Sequence, residues 1–147
     1  MNHRVIVSNA HGAHRLQKRN VSDYVRRVLR EEGAGPAAIS VVLVGTRFIR
    51  RINRKFLGHD VATDVISFPL ESGKDLEGEV YVNLDRARQQ CRLFHMSFRS
   101  EVARLVIHGT LHLLGYDDKT DRLARLMKGK EDRYVAYWFP EGRVNKE

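Results

Sequence analysis

Hydrophobic positions along the chain follow two periods. Short runs rich in β-branched residues, RVIV at 4–7, ISVVLVG at 39–45, DVISF at 64–68 and GEVYVNL at 78–84, predict strands. The near-continuous apolarity of ISVVLVG suggests a strand covered on both faces. DVISF and GEVYVNL, separated by the polar stretch ESGKDLEG, are expected to be neighbours in one sheet. Elsewhere the spacing is three to four residues. Over 15–32 the apolar positions Val21, Tyr24, Val25, Val28 and Leu29 face away from Lys18, Arg19, Arg26, Arg27 and Arg30, and Gly33, Gly35 and Pro36 then break the helix. Thr46 is a plausible N-cap for a second helix through about Leu57, with Phe48, Ile49, Ile52 and Phe56 as its core stripe. Asp85 opens a third helix ending near Phe94. A fourth runs from about Ser97 to Leu114, with Gly115 placed as the residue that stops it. The last covers 120–138, with Leu123, Leu126, Met127, Tyr134 and Trp138 facing inward. Strands at the front and middle with helices around them define an α+β domain, and no internal repeat interrupts it.

Length and composition narrow the class. A chain of 147 residues fits one domain that buries roughly 70% of its unfolded surface. With 42% hydrophobic and 30% charged residues and three prolines, the composition is globular. No stretch approaches the roughly 20 apolar residues of a membrane span. The opening MNHRVIVSNAHGAHR has too short an apolar core for a signal peptide, so the expected location is the cytoplasm. One cysteine, Cys91, excludes an internal disulfide and thiolate-rich zinc sites, and reads as an inert packed thiol. Any metal here must use histidine and carboxylate.

The formal charge of +8 favours polyanions, nucleic acid being the commonest partner and anionic membrane the alternative. On the second helix Arg47, Arg50, Arg51 and Arg54 fall at i, i+3, i+4 and i+7 on one face. That stripe is either an RNA-backbone surface or a solvated helix face.

Candidate chemistry concentrates in HGTLHLLGYDDKTD, 108–121. His108 and His112 lie one turn apart and can chelate one cation. From spacing alone they read better as a satisfied pair at the edge of the stripe Val102, Leu105, Val106, Gly109 and Leu113, beside Glu101 and Arg104. Two features favour metal. Gly109 costs about 1 kcal/mol relative to alanine inside a helix and marks close approach of another backbone or a ligand. A reversal at Gly115 can return Asp117 or Asp118 over the imidazoles as a third ligand. Three protein ligands with an open position match catalytic zinc. Glycine follows His108 where zinc proteases of the HExxH type carry their glutamate, which argues against peptide hydrolysis. Hydrolysis of nucleic acid fits the basic chain better.

HGTLHLLGYDD resembles the H-G-x-L-H-L-x-G-Y-D-H signature of the YbeY family of bacterial rRNA-maturation endoribonucleases, and TDVISFP at 63–69 resembles that family's T-D-V-L-S-F-P. The likeness continues through GEVYVNLDRAR and covers roughly residues 38–139. It implies a single domain over 1–147: a mixed sheet of about four strands packed by about five helices, with a metal cleft at the HxxxH helix. It also implies one zinc ion on His108, His112 and the residue six positions later, Asp118. The implied activity is single-strand-specific endoribonuclease cleavage in 16S rRNA 3′-end maturation and ribosome quality control. The implied partners are 16S rRNA, the small ribosomal subunit with its proteins, and an Era-type GTPase. Ser67 and Phe68 are expected to line the cleft.

Two positions depart from the family pattern. Asp118 stands where the family has its third histidine, adding a negative charge that makes the metal a weaker Lewis acid. Leu57 stands where the family commonly carries an arginine acting on substrate. Arg54 or Arg51 from the preceding turn can replace it, Arg54 being the candidate catalytic side chain, or else the site is weaker. The alternative function is then a ribosome-assembly factor that binds RNA and cuts it little or not at all. Asp117 is expected to cap the turn or orient a histidine, and His59 to face solvent.

Overall fold

A computed structural model describes residues 2–70 and 73–140. Four strands and five helices are found there: β1 (His3–Asn9), α1 (Lys18–Glu31), β2 (Ala37–Val44), α2 (Thr46–Leu57), β3 (Val65–Leu70), β4 (Leu76–Asn83), α3 (Leu84–Leu93), α4 (Phe98–Leu113) and α5 (Asp121–Trp138). The sheet order is β1-β2-β4-β3. The first three strands in that order are parallel, and β3 runs antiparallel beside β4. The expected α+β domain with its mixed sheet is therefore present, and DVISF and GEVYVNL are neighbours. No helix among the described residues is long and apolar enough to cross a membrane.

The main core lies on one face of the sheet. Ile39, Val41 and Leu43 of β2 and Val80 and Val82 of β4 pack there with α1, α3, α4 and α5. On the other face α2 covers only one end, burying Val44, Ile49, Ile52 and Ile66 in a small second cluster. The expectation that β2 is covered on both faces is corrected by this partial cover: Ala38, Ser40 and Val42 stay half-buried. For the same reason Phe48 and Phe56 are exposed rather than core, and their rings lie along the sheet against Tyr81 and Phe68. Leu126, expected to face inward on α5, is also exposed. Cys91 is buried, as anticipated.

Helix boundaries follow their caps. Asn83, Ser97 and Thr120 each accept a hydrogen bond from the backbone N–H three residues on, starting α3, α4 and α5. Thr46 is the first residue of α2 rather than its cap. Gly45 holds the cap position without a side chain, and Asp85 of α3 accepts from the Thr46 N–H at 3.0 Å instead. A Cβ on Gly45 would meet that carboxylate at 2.9 Å. Burial pushes the Asp85 carboxyl up, but the Thr46 N–H and His11 outweigh it and hold it below its usual value.

Glycine sets the distance between α4 and the sheet. A Cβ on Gly109 would meet Val80 Cγ1 at 2.4 Å and Ser67 Oγ at 3.0 Å. One on Gly78 of β4 would meet Leu113 Cδ2 at 2.7 Å. Both contacts are with neighbours inside the packed layer, so these two positions let the helix lie close on β3 and β4. The Gly109→Ala variant is therefore expected to lose about 1–3 kcal/mol through overpacking, rather than gain the ~1 kcal/mol of an open helix site. Urea denaturation measures this as a lower midpoint at unchanged slope, and a higher midpoint would contradict the close packing.

Candidate metal centre

The two signature histidines sit in the last two turns of α4, on the flank of its buried stripe, and both are partly exposed. Gly115 ends this helix at φ +102°; its N–H donates to His112 O and the Tyr116 N–H donates to Leu111 O. This paired closure is a Schellman turn, which needs a left-handed residue at the position Gly115 occupies. It also returns the Tyr116 carbonyl over His112, whose Nδ1–H donates to it at 2.9 Å.

His108 is held by a different group in the same way. Its Nδ1–H donates to Glu131 Oε2 of α5 at 2.5 Å. A carbonyl and an ionised carboxylate only accept, so both neutral rings carry their proton on Nδ1 and leave Nε2 bare. The two Nε2 atoms face each other 3.0 Å apart. Two lone pairs at that distance repel unless a metal cation or a proton lies between them. The Asp118 carboxylate completes the group, with all three ligand atoms within 4.8 Å of one another. This donor set, two imidazoles with fixed tautomers and one carboxylate, fits zinc or a similar divalent ion.

Behind His108 lies a buried charge network that the apolar pattern does not reveal. Glu101 has no exposed surface and Glu131 is 3% exposed. Arg104 donates to both Glu101 oxygens, at 3.0 and 2.5 Å, and to Glu131 Oε1 at 3.3 Å. Burial alone would pull the Arg104 guanidinium down, yet Glu101 and Glu131 hold its pKa above the usual value. Two carboxylates against one guanidinium leave one negative charge next to His108, which a cation at Nε2 offsets. Glu131 has a sequence signal: it falls four residues after Met127 and three before Tyr134, a charged position on the buried stripe of α5.

A second triad, His11, His14 and Asp85, has comparable spacing but the opposite proton arrangement. His11 Nδ1 accepts from the Ala13 N–H at 3.0 Å, so its proton sits on Nε2 and is donated to Asp85 Oδ1 at 2.8 Å. A cation at that Nε2 would need the proton moved to Nδ1, against a backbone donor. This triad is a fastener between the segment after β1 and the starts of α2 and α3.

The metal centre opens into a cleft of about 640 Å³. Ser67 lines it and donates to Gly109 O at 2.9 Å. Phe68, next along β3, faces the other side of the sheet beside Tyr81 and Phe56 and does not line it. Leu57, His59 and Asp64 do line it, His59 remaining exposed. Asp117 accepts from the Lys119 N–H and so caps the turn. Arg47, Arg50, Arg51 and Arg54 are all exposed on α2. Arg50 pairs with Asp60 at 2.9 Å and Arg54 approaches the same carboxylate at 3.8 Å. None of the four guanidinium groups lines the cleft.

Replacing Glu131 by Gln keeps the shape but removes the acceptor-only partner of His108. The variant is expected to bind metal 10–100-fold more weakly by competition titration with a chromophoric chelator. Unchanged affinity would show that the carboxylate does not tune the ligand.

A model of the YbeY family, described as endoribonuclease YbeY, matches residues 6–138. A Chlorobaculum tepidum protein named endoribonuclease YbeY is 43% identical over 115 residues, covering 78% of this chain and 84% of its own length. One of the same name from Chlorobium phaeobacteroides is 46% identical over 112 residues, covering 76% and 81%. A Thermotoga maritima protein solved in solution superposes with a TM-score of 0.68 at 31% identity, over 93% of this chain and 90% of that one. A family match spanning nearly all of the described residues, with relatives 43% and 46% identical over three quarters of the chain, shows that the chain belongs to the YbeY endoribonuclease family.

Proposed function

We propose that this chain is a metal-dependent endoribonuclease, a single catalytic domain over residues 1–147 acting on single-stranded RNA in the cytoplasm. Its setting is 16S rRNA 3′-end maturation and ribosome quality control, in contact with the small ribosomal subunit, its proteins and an Era-type GTPase. The observation that carries the reading is the pair of bare Nε2 atoms 3.0 Å apart on His108 and His112, with Asp118 in reach. Those three residues would hold one zinc ion, which when bound supplies Lewis acidity toward a water and a phosphate oxygen.

The chain's own groups do the rest. Glu131 and the Tyr116 carbonyl fix the two rings in the tautomer that leaves Nε2 free. Asp118 in place of a third histidine lowers the net charge of the centre by one and weakens its pull on electrons. The exposed guanidinium groups of α2 offer contacts to the RNA backbone beside the cleft, Arg54 standing nearest the position of Leu57 in sequence. Gly109, which in a protease of the HExxH type would be the glutamate base, is turned into the sheet against Val80, so peptide hydrolysis lacks its base.

One observation favours a second reading, an RNA-binding assembly factor with weak or no cleavage. Among the described residues, no arginine or lysine lines the cleft, and exposed Leu57 occupies its wall.

Metal analysis and cleavage of single-stranded RNA by wild type, His112→Ala, Asp118→Ala and Asp118→His decide between the two. Wild type is expected to hold stoichiometric metal and cut. His112→Ala and Asp118→Ala are expected to lose metal and fall to background, and Asp118→His to keep metal and cut at least as fast as wild type. Wild type without stoichiometric metal would overturn the nuclease reading. Wild type that holds metal and binds RNA without cutting it would establish the assembly factor.

A further inference from the structure

At the opposite end of α4 from the metal centre the molecule has a second cavity, of about 470 Å³, within the size range of small-ligand sites. It lies between the segment leading into α1, the first turns of α1 and α4, and the middle of α3. Three guanidinium groups, Arg15, Arg88 and Arg99, line it with His14, and no carboxylate does so among the described residues. Asp85, the nearest acid to His14 in electrostatic effect, is already engaged by His11 and the Thr46 N–H. Two aromatic rings, Tyr24 and Phe98, complete the wall. The Arg88 guanidinium lies 4.0 Å from the Phe98 ring centroid, and the His14 ring centroid is 5.1 Å from it.

The Arg15 and Arg99 side chains are exposed at this cavity. His14 is held below its usual pKa, first by burial and then by His11 and Arg88, with Asp85 opposing. Among the described residues no acid lines the hollow, so a phosphate entering it meets the Arg15 and Arg99 guanidinium groups. Tyr24 and Phe98 are buried and form the apolar floor of the cavity, whereas Arg15 and Arg99 are exposed at its rim and supply phosphate contacts.

We infer that this cavity is a second RNA-binding site, taking the backbone of single-stranded RNA with a phosphate on Arg15 and Arg99. Ten residues of α4 separate Phe98 from His108, a rise of about 15 Å. The inference rests on the endoribonuclease reading for its choice of RNA as the phosphate source.

The test compares the metal-loaded wild type with Arg15→Glu/Arg99→Glu and with a control of equal charge change far from the cavity, Arg4→Glu/Arg30→Glu. Binding of a fluorescein-labelled single-stranded RNA is followed by anisotropy across a salt series, with a gel confirming that the RNA stays intact. The cavity variant is expected to bind at least tenfold more weakly than the control. It should also flatten the dependence of log K on log salt by about 0.7 for each phosphate that the arginines no longer neutralise. Metal content and kcat should be unchanged while KM rises. Equal affinities and slopes in the two double variants would overturn the site. Tyr24 and Phe98 ring resonances that shift with RNA but not with UMP assign the site to the polymer. Shifts with UMP that RNA does not compete away would overturn the RNA assignment in favour of a free nucleotide. Absence of cleavage by wild type would sink the enzyme reading alone and leave the binding comparison standing.

Discussion

Two nitrogen lone pairs pointed at each other are the constraint around which this molecule is arranged. Left to themselves, His108 and His112 would relieve the contact by turning one ring so that an N–H met a lone pair. Neither ring is at liberty to do so, because each Nδ1 is fixed as a donor by a group that only accepts. The Glu131 carboxylate comes from α5 and the Tyr116 carbonyl from the turn that ends α4. The repulsion between the Nε2 atoms is thus built in by two separate parts of the fold, and a cation or a proton between them removes it. The buried Glu101–Arg104–Glu131 network, with its surplus negative charge, favours the same occupant.

Keeping that arrangement in place falls to α4. Gly109 and Gly78 bring the helix onto β3 and β4 more closely than any side chain would permit. Ser67 then reaches the Gly109 carbonyl and ties the edge strand to the helix turn that carries both histidines. The cleft lies along this seam, which is why it is walled by β3 and the segment before it. At its other end α4 meets α1 and α3, where arginine and aromatic side chains collect. One helix therefore carries a carboxylate-backed cation centre near its C-terminus and a guanidinium-lined cavity near its N-terminus.

Much of this is legible in the residues. Every strand and helix shows in the apolar periods, because each has a face in one of the two apolar clusters, and Gly115 announces the turn that closes α4. What the pattern does not convey depends on neighbours distant in sequence. Phe48 and Phe56 have core-like spacing but sit where α2 overhangs a partly covered sheet. The cap on α2 comes from Asp85, 39 residues beyond Thr46. Ser67 and Phe68 look alike as cleft residues in a linear motif, yet strand alternation sends them to opposite faces of the sheet. Gly109 signals close approach in the sequence, and the neighbour that approaches is the sheet rather than a ligand. Spacing alone also cannot separate His108 and His112 from His11 and His14, since only hydrogen-bond partners reveal which nitrogen is bare.

That last contrast supplies the most direct test. Long-range proton–nitrogen correlation spectra of the histidine rings, recorded on metal-loaded protein, report the tautomer of each one. The account predicts protonated Nδ1 and metal-shifted Nε2 for both His108 and His112, and the reverse tautomer without metal shift for His11. A proton on Nε2 of His108 or His112 in the loaded protein, or a metal-shifted nitrogen on His11, would contradict it.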